Sequence, residues 1–181
     1  MKLPRQQQLI ALILSITLPI IGSASAYAAT TRLTLTVTSS TAPPPPAALV
    51  IAAPASVSLG TNVTFPSTYT TPFPSSVTVT DTRLTNIGWI STVLVSALTQ
   101  VLGATIPASV FSYNPGTVTK NSGTGTLTGT AAAIPGIAST VVVATLVTAD
   151  VSASWTPTLT LTEADAPATG DYTGTVTSSV F

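Results

Sequence analysis

The chain has 181 residues, with five basic and five acidic side chains and neither histidine nor cysteine. Without cysteine there is no disulfide or thiol chemistry, and without histidine the usual general base and the commonest metal ligand are missing. Lys and Arg form no cluster of the kind that binds phosphate, so nucleic acid is excluded as a partner. We therefore expect a protein that is not an enzyme and needs no cofactor.

The first 28 residues have the pattern of a secretory signal peptide. Lys2 and Arg5 give a positive start, an apolar run extends from Leu9 to Ile21, and Ala26 and Ala28 offer small residues where a signal peptidase cuts. A membrane anchor is the alternative, but the apolar run is shorter than the roughly 20 residues of a spanning helix. We expect a secreted, extracellular protein.

Residues 29–46 predict an N-terminal strand followed by a proline-rich spacer. From Arg32 to Thr38, Leu and Val alternate with Thr, the period-two pattern of a half-buried strand. Pro43 to Pro46 favour an extended segment that separates this strand from the rest. Two interpretations stay open. The strand joins its own domain, or residues 31–38 complete the sheet of a neighbouring copy and allow self-assembly.

Residues 47–181 predict one all-β domain, an antiparallel β-sandwich of the Ig-like or Greek-key type with about nine or ten strands. The segment from Trp89 onward is apolar on both faces, which indicates a central strand, with a helix over 93–101 as the alternative. Short apolar runs lie at 49–52 and 57–59, a local pairing is expected at 63–65, and an exposed loop is expected over 66–74. The other strands are predicted at 77–83, 106–113, 117–120, 125–128, 141–148, 154–162 and 172–180.

Two strand pairs and one core are predicted in the second half of the chain. Residues 117–120 and 125–128 read as a hairpin, and 154–162 faces 172–180 across a loop that contains Pro167 and Gly170. The predicted core brings together the apolar residues of these strands, Trp155, Leu159, Leu161 and Val176, with Val143.

Asp81 and Arg83 are two residues apart on a predicted strand and so project from the same face. Their charges are opposite. We expect a structural ion pair that closes one end of the core; the alternative is that Arg83 binds a ligand.

Acidic residues concentrate in the loop that precedes the last strand. Glu163, Asp165 and Asp171 could supply oxygen ligands to calcium, but their spacing matches no EF-hand and a solvated loop is the alternative. A glycosidase needs two carboxylates across a cleft, whereas Glu163 and Asp165 share one loop.

Four stretches together resemble a known family: Val77-Thr-Val-Thr-Asp-Thr-Arg83, Gly88-Trp89, Ser154-Trp-Thr-Pro-Thr-Leu-Thr-Leu-Thr162 and Tyr172-Thr-Gly-Thr-Val-Thr177. They are similar to the WxL-domain cell-surface proteins of Gram-positive bacteria, most of all to the secreted single-domain forms of actinobacteria. The similarity covers nearly all of the mature sequence. Of the two Trp-x-Leu motifs, the first corresponds to Trp89-Ile90-Ser91, and the second, at Ser178-Ser179-Val180, is not retained.

The resemblance implies an extracellular β-sandwich held noncovalently at the cell wall, with peptidoglycan or other surface proteins as partners. Trp89, Trp155 and Tyr172 are the candidate contacts to wall glycan, because aromatic rings stack on sugar rings when they are exposed. For Trp89 and Trp155 we favour a position in the core over a surface contact, since both share parity with aliphatic neighbours.

Overall fold

The computed structural model describes residues 32–39, 49–61, 63–83, 86–148, 150–163 and 167–181. These ranges contain sixteen strands and one three-residue 3-10 turn, and no helix in them is long and apolar enough to cross a membrane. The predicted leader and the proline run lie outside the described residues. The strands are β1 (Arg32–Ser39), β2 (Leu49–Ala52), β3 (Ser56–Thr61), β4 (Ser67–Pro72), β5 (Val77–Asp81), β6 (Trp89–Val95), β7 (Leu98–Gln100), β8 (Thr105–Ile106), β9 (Phe111–Asn114), β10 (Thr119–Ser122), β11 (Thr126–Gly129), β12 (Ala132–Ala133), β13 (Ser139–Thr145), β14 (Val151–Trp155), β15 (Thr158–Glu163) and β16 (Asp171–Val180), with the 3-10 turn at Ala108–Val110.

The strands form three hydrogen-bonded sheets. Sheet I has the order β11-β13-β6-β16-β1-β3, with β7 beside β16 and β8 beside β7. Sheet II is β10-β14-β5-β2, and sheet III is β12-β9-β15-β4. Among the described strands every pairing is antiparallel except that of β1 with β16, which is parallel. The all-β prediction is confirmed, and the arrangement is consistent with a β-sandwich.

One apolar core lies between the inner faces of the sheets. Alternation of apolar and hydroxyl residues puts every second side chain inside, because successive side chains of a strand point to opposite faces. Leu33 and Leu35 of β1 and Leu159 and Leu161 of β15 are fully buried in this way. Trp89 to Val95 is a central strand between β13 and β16, so the helix alternative for that segment is wrong.

The predicted pairing of 154–162 with 172–180 is wrong. Pro157, which has no backbone N–H to give to a ladder, interrupts the first segment. The chain before it forms β14 in sheet II, the chain after it forms β15 in sheet III, and β16 lies in sheet I. A continuous alternation of Thr with apolar residues therefore serves two different sheets.

The predicted hairpin of 117–120 with 125–128 is also wrong. β10 pairs with β14 in sheet II, whereas β11 pairs with β13 in sheet I. Gly123 (φ +74°) and Gly125 (φ +140°) carry the chain from one sheet to the other, in backbone conformations that favour glycine.

The prediction that Val143 joins the core is wrong because of a β-bulge. The register of β13 against β6 shifts between Thr140 and Val142, so that Val141 and Val142 are both buried. Beyond the bulge, alternation leaves Val143 only partly buried and buries Ala144 instead.

Further differences concern individual strands. The expected loop at 66–74 contains β4, and residues 63–65, where a local pairing was expected, form no strand. Pro107 divides the expected strand 106–113, so that β8 ends before it and β9 begins after a 3-10 turn. Proline interrupts a ladder without disturbing the polar and apolar pattern on either side.

Candidate functional site

The three aromatic residues predicted to contact glycan are buried. Trp89 and Trp155 are 2% exposed and Tyr172 is 0% exposed. Each sits on the inward face of its strand, alternating with Ile90, Ser154 or Thr173 on the outer face. The three candidate glycan contacts are therefore corrected, because no ring is at the surface, and Trp89 and Trp155 occupy the core positions that the sequence favoured.

Trp155 and Tyr113 connect two sheets inside the core. The indole Nε1 of Trp155 donates a hydrogen bond to the Tyr113 hydroxyl oxygen at 3.0 Å. The Tyr113 ring meets Phe73 edge to face, with 5.9 Å between ring centroids and an interplanar angle of 89°. Burial raises the pKa of Tyr113, against the opposing effect of the hydrogen bond from Trp155. The aromatic cluster lies beneath sheet III and supports it.

Tyr172 and Trp89 differ in how their polar atoms are satisfied. The Tyr172 hydroxyl donates to the carbonyl oxygen of Ala168 at 2.6 Å, and burial raises the pKa of Tyr172. The Nε1 of Trp89 and the Oγ of Ser91 are buried and have no hydrogen-bond partner among the described residues. A buried donor without a partner costs free energy.

The predicted ion pair between Asp81 and Arg83 is present. Arg83 donates from Nε to Oδ1 and from Nη2 to Oδ2, both at 2.9 Å, and its backbone N–H donates to Oδ1 at 3.0 Å. Nη2 also donates to the carbonyl oxygens of Ile87 and Gly88, at 3.3 and 3.4 Å. The hydrogen bond to Asp81 raises the pKa of Arg83. This guanidinium thus holds the loop that leads into Trp89, a structural role.

The acidic residues named as calcium candidates end on different sheets. Glu163 closes β15 in sheet III, Asp171 opens β16 in sheet I, and Asp165 lies outside the described residues. Within the described part of the chain, no group of three or more acidic side chains is placed to hold a metal ion. Calcium binding that involves Asp165 stays a prediction.

The outer face of sheet III carries a regular set of hydroxyl groups. Thr160 of β15 lies between Thr70 of β4 and Ser112 of β9, and Thr162 lies opposite Thr68. The hydroxyls of Thr70 and Thr160 are 2.8 Å apart, and those of Thr68 and Thr162 are 3.3 Å apart. We define the hydroxyl face as Thr68, Thr70, Ser112, Asn114, Thr158, Thr160 and Thr162.

The hydroxyl face presents hydrogen-bond donors and acceptors of the kind that suit a neutral polar ligand. Neighbouring strands are about 4.8 Å apart and alternate residues about 6.8 Å apart, so the side chains form a grid. When one Thr donates to another, the pair keeps one free donor and three acceptor positions. Such pairs can hydrogen-bond to the hydroxyl and amide groups of a glycan. Sequence reasoning missed this face because β4 was predicted to be a loop, although the alternation of Thr68 and Thr70 with Tyr69 was a strand signal.

Residues 89–91 of β6 and residues 178–180 of β16 lie side by side on sheet I. Ile90 of β6 exchanges backbone hydrogen bonds with Phe181, at 3.1 and 3.0 Å, and Ser91 pairs with Val180. Ser178 is 3% exposed and faces the core, as Trp89 does. Both side chains are therefore interior.

Comparison of the chain with family models, with curated protein sequences and with solved structures found no match.

Proposed function

We propose that the mature protein is a secreted, non-catalytic cell-surface protein that associates noncovalently with the cell wall by contacting peptidoglycan glycan through the hydroxyl face. The observation that carries the proposal is the pair of adjacent Thr rows on β4 and β15, with inter-hydroxyl distances of 2.8 and 3.3 Å. Glycans present hydroxyl and amide groups at close intervals. A fixed grid of uncharged donors and acceptors matches that chemistry, and its order limits the entropy lost on binding.

The charge of the protein supports a contact made by hydrogen bonds. Residues 29–181 have three basic and five acidic side chains, a net charge of −2. Anionic wall polymers such as teichoic acids would not attract this surface, because steering requires charges of opposite sign. Peptidoglycan itself offers the neutral partner that the hydroxyl face can use.

The resemblance to WxL-domain proteins supports the same reading. The second motif corresponds to residues 178–180, and Ser178 is buried, so this change removes no group from an outer face. We place the wall contact on the outer faces of the sheets, which carry Thr and Ser side chains.

Sedimentation with purified wall tests the proposal. Residues 29–181 are mixed with washed peptidoglycan sacculi, either carrying teichoic acids or stripped of them, at low and at high salt. We expect the protein to pellet in all four conditions, since neutral hydrogen bonds are screened little by salt. Protein that stays in the supernatant, or pellets only at low salt with teichoic acids present, would overturn the proposal.

A further inference from the structure

Strand β1 lies between two strands to which no turn connects it. It runs parallel to β16, with Leu33 opposite Tyr172 and Val37 opposite Val176, and antiparallel to β3, with Leu35 opposite Val57. Ladders on both sides make it an internal strand of sheet I. Its neighbours in sheet I come from the C-terminal end of the chain and from beyond β2, which belongs to sheet II.

The apolar side chains of β1 fill a slot between β16 and β3. Leu33 and Leu35 are 0% exposed and Val37 is 6% exposed. Without β1, the backbone groups of β16 and β3 that face it would lose their partners, and the apolar surface beneath would meet water. Unpaired strand edges above an apolar surface are the kind of site that an added strand completes.

Nothing in the slot requires that its strand come from the same chain. β1 is joined to the rest of the described domain only through residues 40–48, which include four consecutive prolines. Proline runs favour extended, stiff chain. A strand tethered to its own domain competes for the slot with the same strand of a neighbouring copy, and the length and stiffness of the linker set how strongly the tether favours its own domain. A proline-rich linker of this length therefore favours exchange more than a tight turn would.

We infer that β1 is an exchangeable strand, and that the slot between β16 and β3 accepts β1 of a second copy of this chain. Exchange preserves every contact of β1 and changes only the copy that provides it. Reciprocal exchange gives a closed dimer, and one-way exchange gives a head-to-tail chain. The inference does not depend on wall association, and its test contains no wall material.

Disulfide trapping tests the exchange, because the protein has no cysteine of its own. Thr36 and Thr175 are paired in register, and both are exposed. Adjacent strands about 4.8 Å apart lie within the Cα separation that a disulfide spans. Full-length T36C and T175C are mixed, unfolded together, refolded at increasing protein concentrations and oxidised. We expect a T36C–T175C linked heterodimer that increases several-fold with concentration, identified by peptide mass mapping.

A matched control separates exchange from random collision. Thr70 is exposed but lies on sheet III, which does not pair with β1, so T36C mixed with T70C reports the background. T34C with T173C, the neighbouring pair in register, repeats the test if T36C folds poorly. If neither pair gives more heterodimer than the T70C mixture at any concentration, β1 is not exchanged. In the double variant T36C/T175C, a disulfide formed within one chain should lock β1 in its own slot and prevent the concentration-dependent dimers or longer chains that we expect light scattering to detect for the reduced protein.

Discussion

Trp155 donates its indole N–H to the hydroxyl oxygen of Tyr113 at 3.0 Å, and this buried bond joins sheet II to sheet III. Tyr113 lies on β9 between Ser112 and Asn114, which belong to the hydroxyl face. The sequence left two roles open for Trp155, a core residue or a direct contact to glycan. The structure places it behind the face, where it fixes the strand that carries part of the face.

Replacing Trp155 with Phe should destabilise the protein more than replacing Trp89 with Phe. Both changes remove the same atoms from buried positions. W155F also leaves the Tyr113 hydroxyl without its donor, whereas W89F removes an N–H that has no partner among the described residues. We expect the free energy of unfolding in urea to fall by about 1–3 kcal/mol more for W155F. Equal losses would contradict the assigned hydrogen bonds.

Tyr113 should make the stability of the protein sensitive to alkaline pH. Because burial raises its pKa, the folded protein keeps the phenolic proton at a pH where the unfolded chain, with a tyrosine pKa of about 10, releases it. The free energy of unfolding should therefore fall as pH rises above about 10. Y113F, measured in parallel, should show a shallower fall. Tyr172 titrates in both proteins, so parallel curves would exclude a contribution from Tyr113.

Replacing Leu159 with Ala should lower the free energy of unfolding by about 2–5 kcal/mol, because Leu159 is fully buried and its loss leaves a cavity. T158A, one residue earlier and on the outer side of the strand, is the control and should cost less than about 1 kcal/mol. If T158A were the more harmful change in chemical denaturation, the two faces of β15 would have been assigned backwards.

Replacing Arg83 with Lys should lower the free energy of unfolding by about 1–3 kcal/mol. A lysine keeps the charge but cannot reproduce the fork that contacts both oxygens of Asp81 while reaching the carbonyl groups of Ile87 and Gly88. K120R is the control, since Lys120 is exposed and donates to a single carbonyl oxygen. It should change stability by less than about 0.5 kcal/mol. If R83K left the free energy of unfolding unchanged, the forked contacts of Arg83 would contribute little to stability.

Features that depend on local geometry could be predicted from the sequence. Alternation placed Val77, Val79, Leu159 and Leu161 inside, because the pleat of a strand fixes which side chains share a face. The pair of Asp81 and Arg83 followed from the same rule. Neither of these two predictions requires knowledge of which strands lie beside β5 or β15.

Features that depend on distant partners could not be predicted. The alternation through Trp155 and Leu159 continues across Pro157, so the pattern does not reveal that two sheets share it. The hydroxyl face requires that β4 lie beside β15, a pairing between residues about 90 positions apart along the chain, such as Thr70 and Thr160. Parity showed that Trp89 faces the same side as its aliphatic neighbours, but only the tertiary fold decides whether that side is covered.

The central claim is that the hydroxyl face contacts wall glycan, and paired Thr-to-Val variants test it most directly. Valine keeps the β-branched shape and removes the hydroxyl. T70V/T160V alters the hydroxyl face, and T38V/T177V alters a similar Thr pair, 3.2 Å apart, on sheet I. Each folded variant is sedimented at high salt with sacculi stripped of teichoic acids. We predict that wild type and T38V/T177V pellet while T70V/T160V is largely released; equal pelleting of all three proteins would contradict the claim.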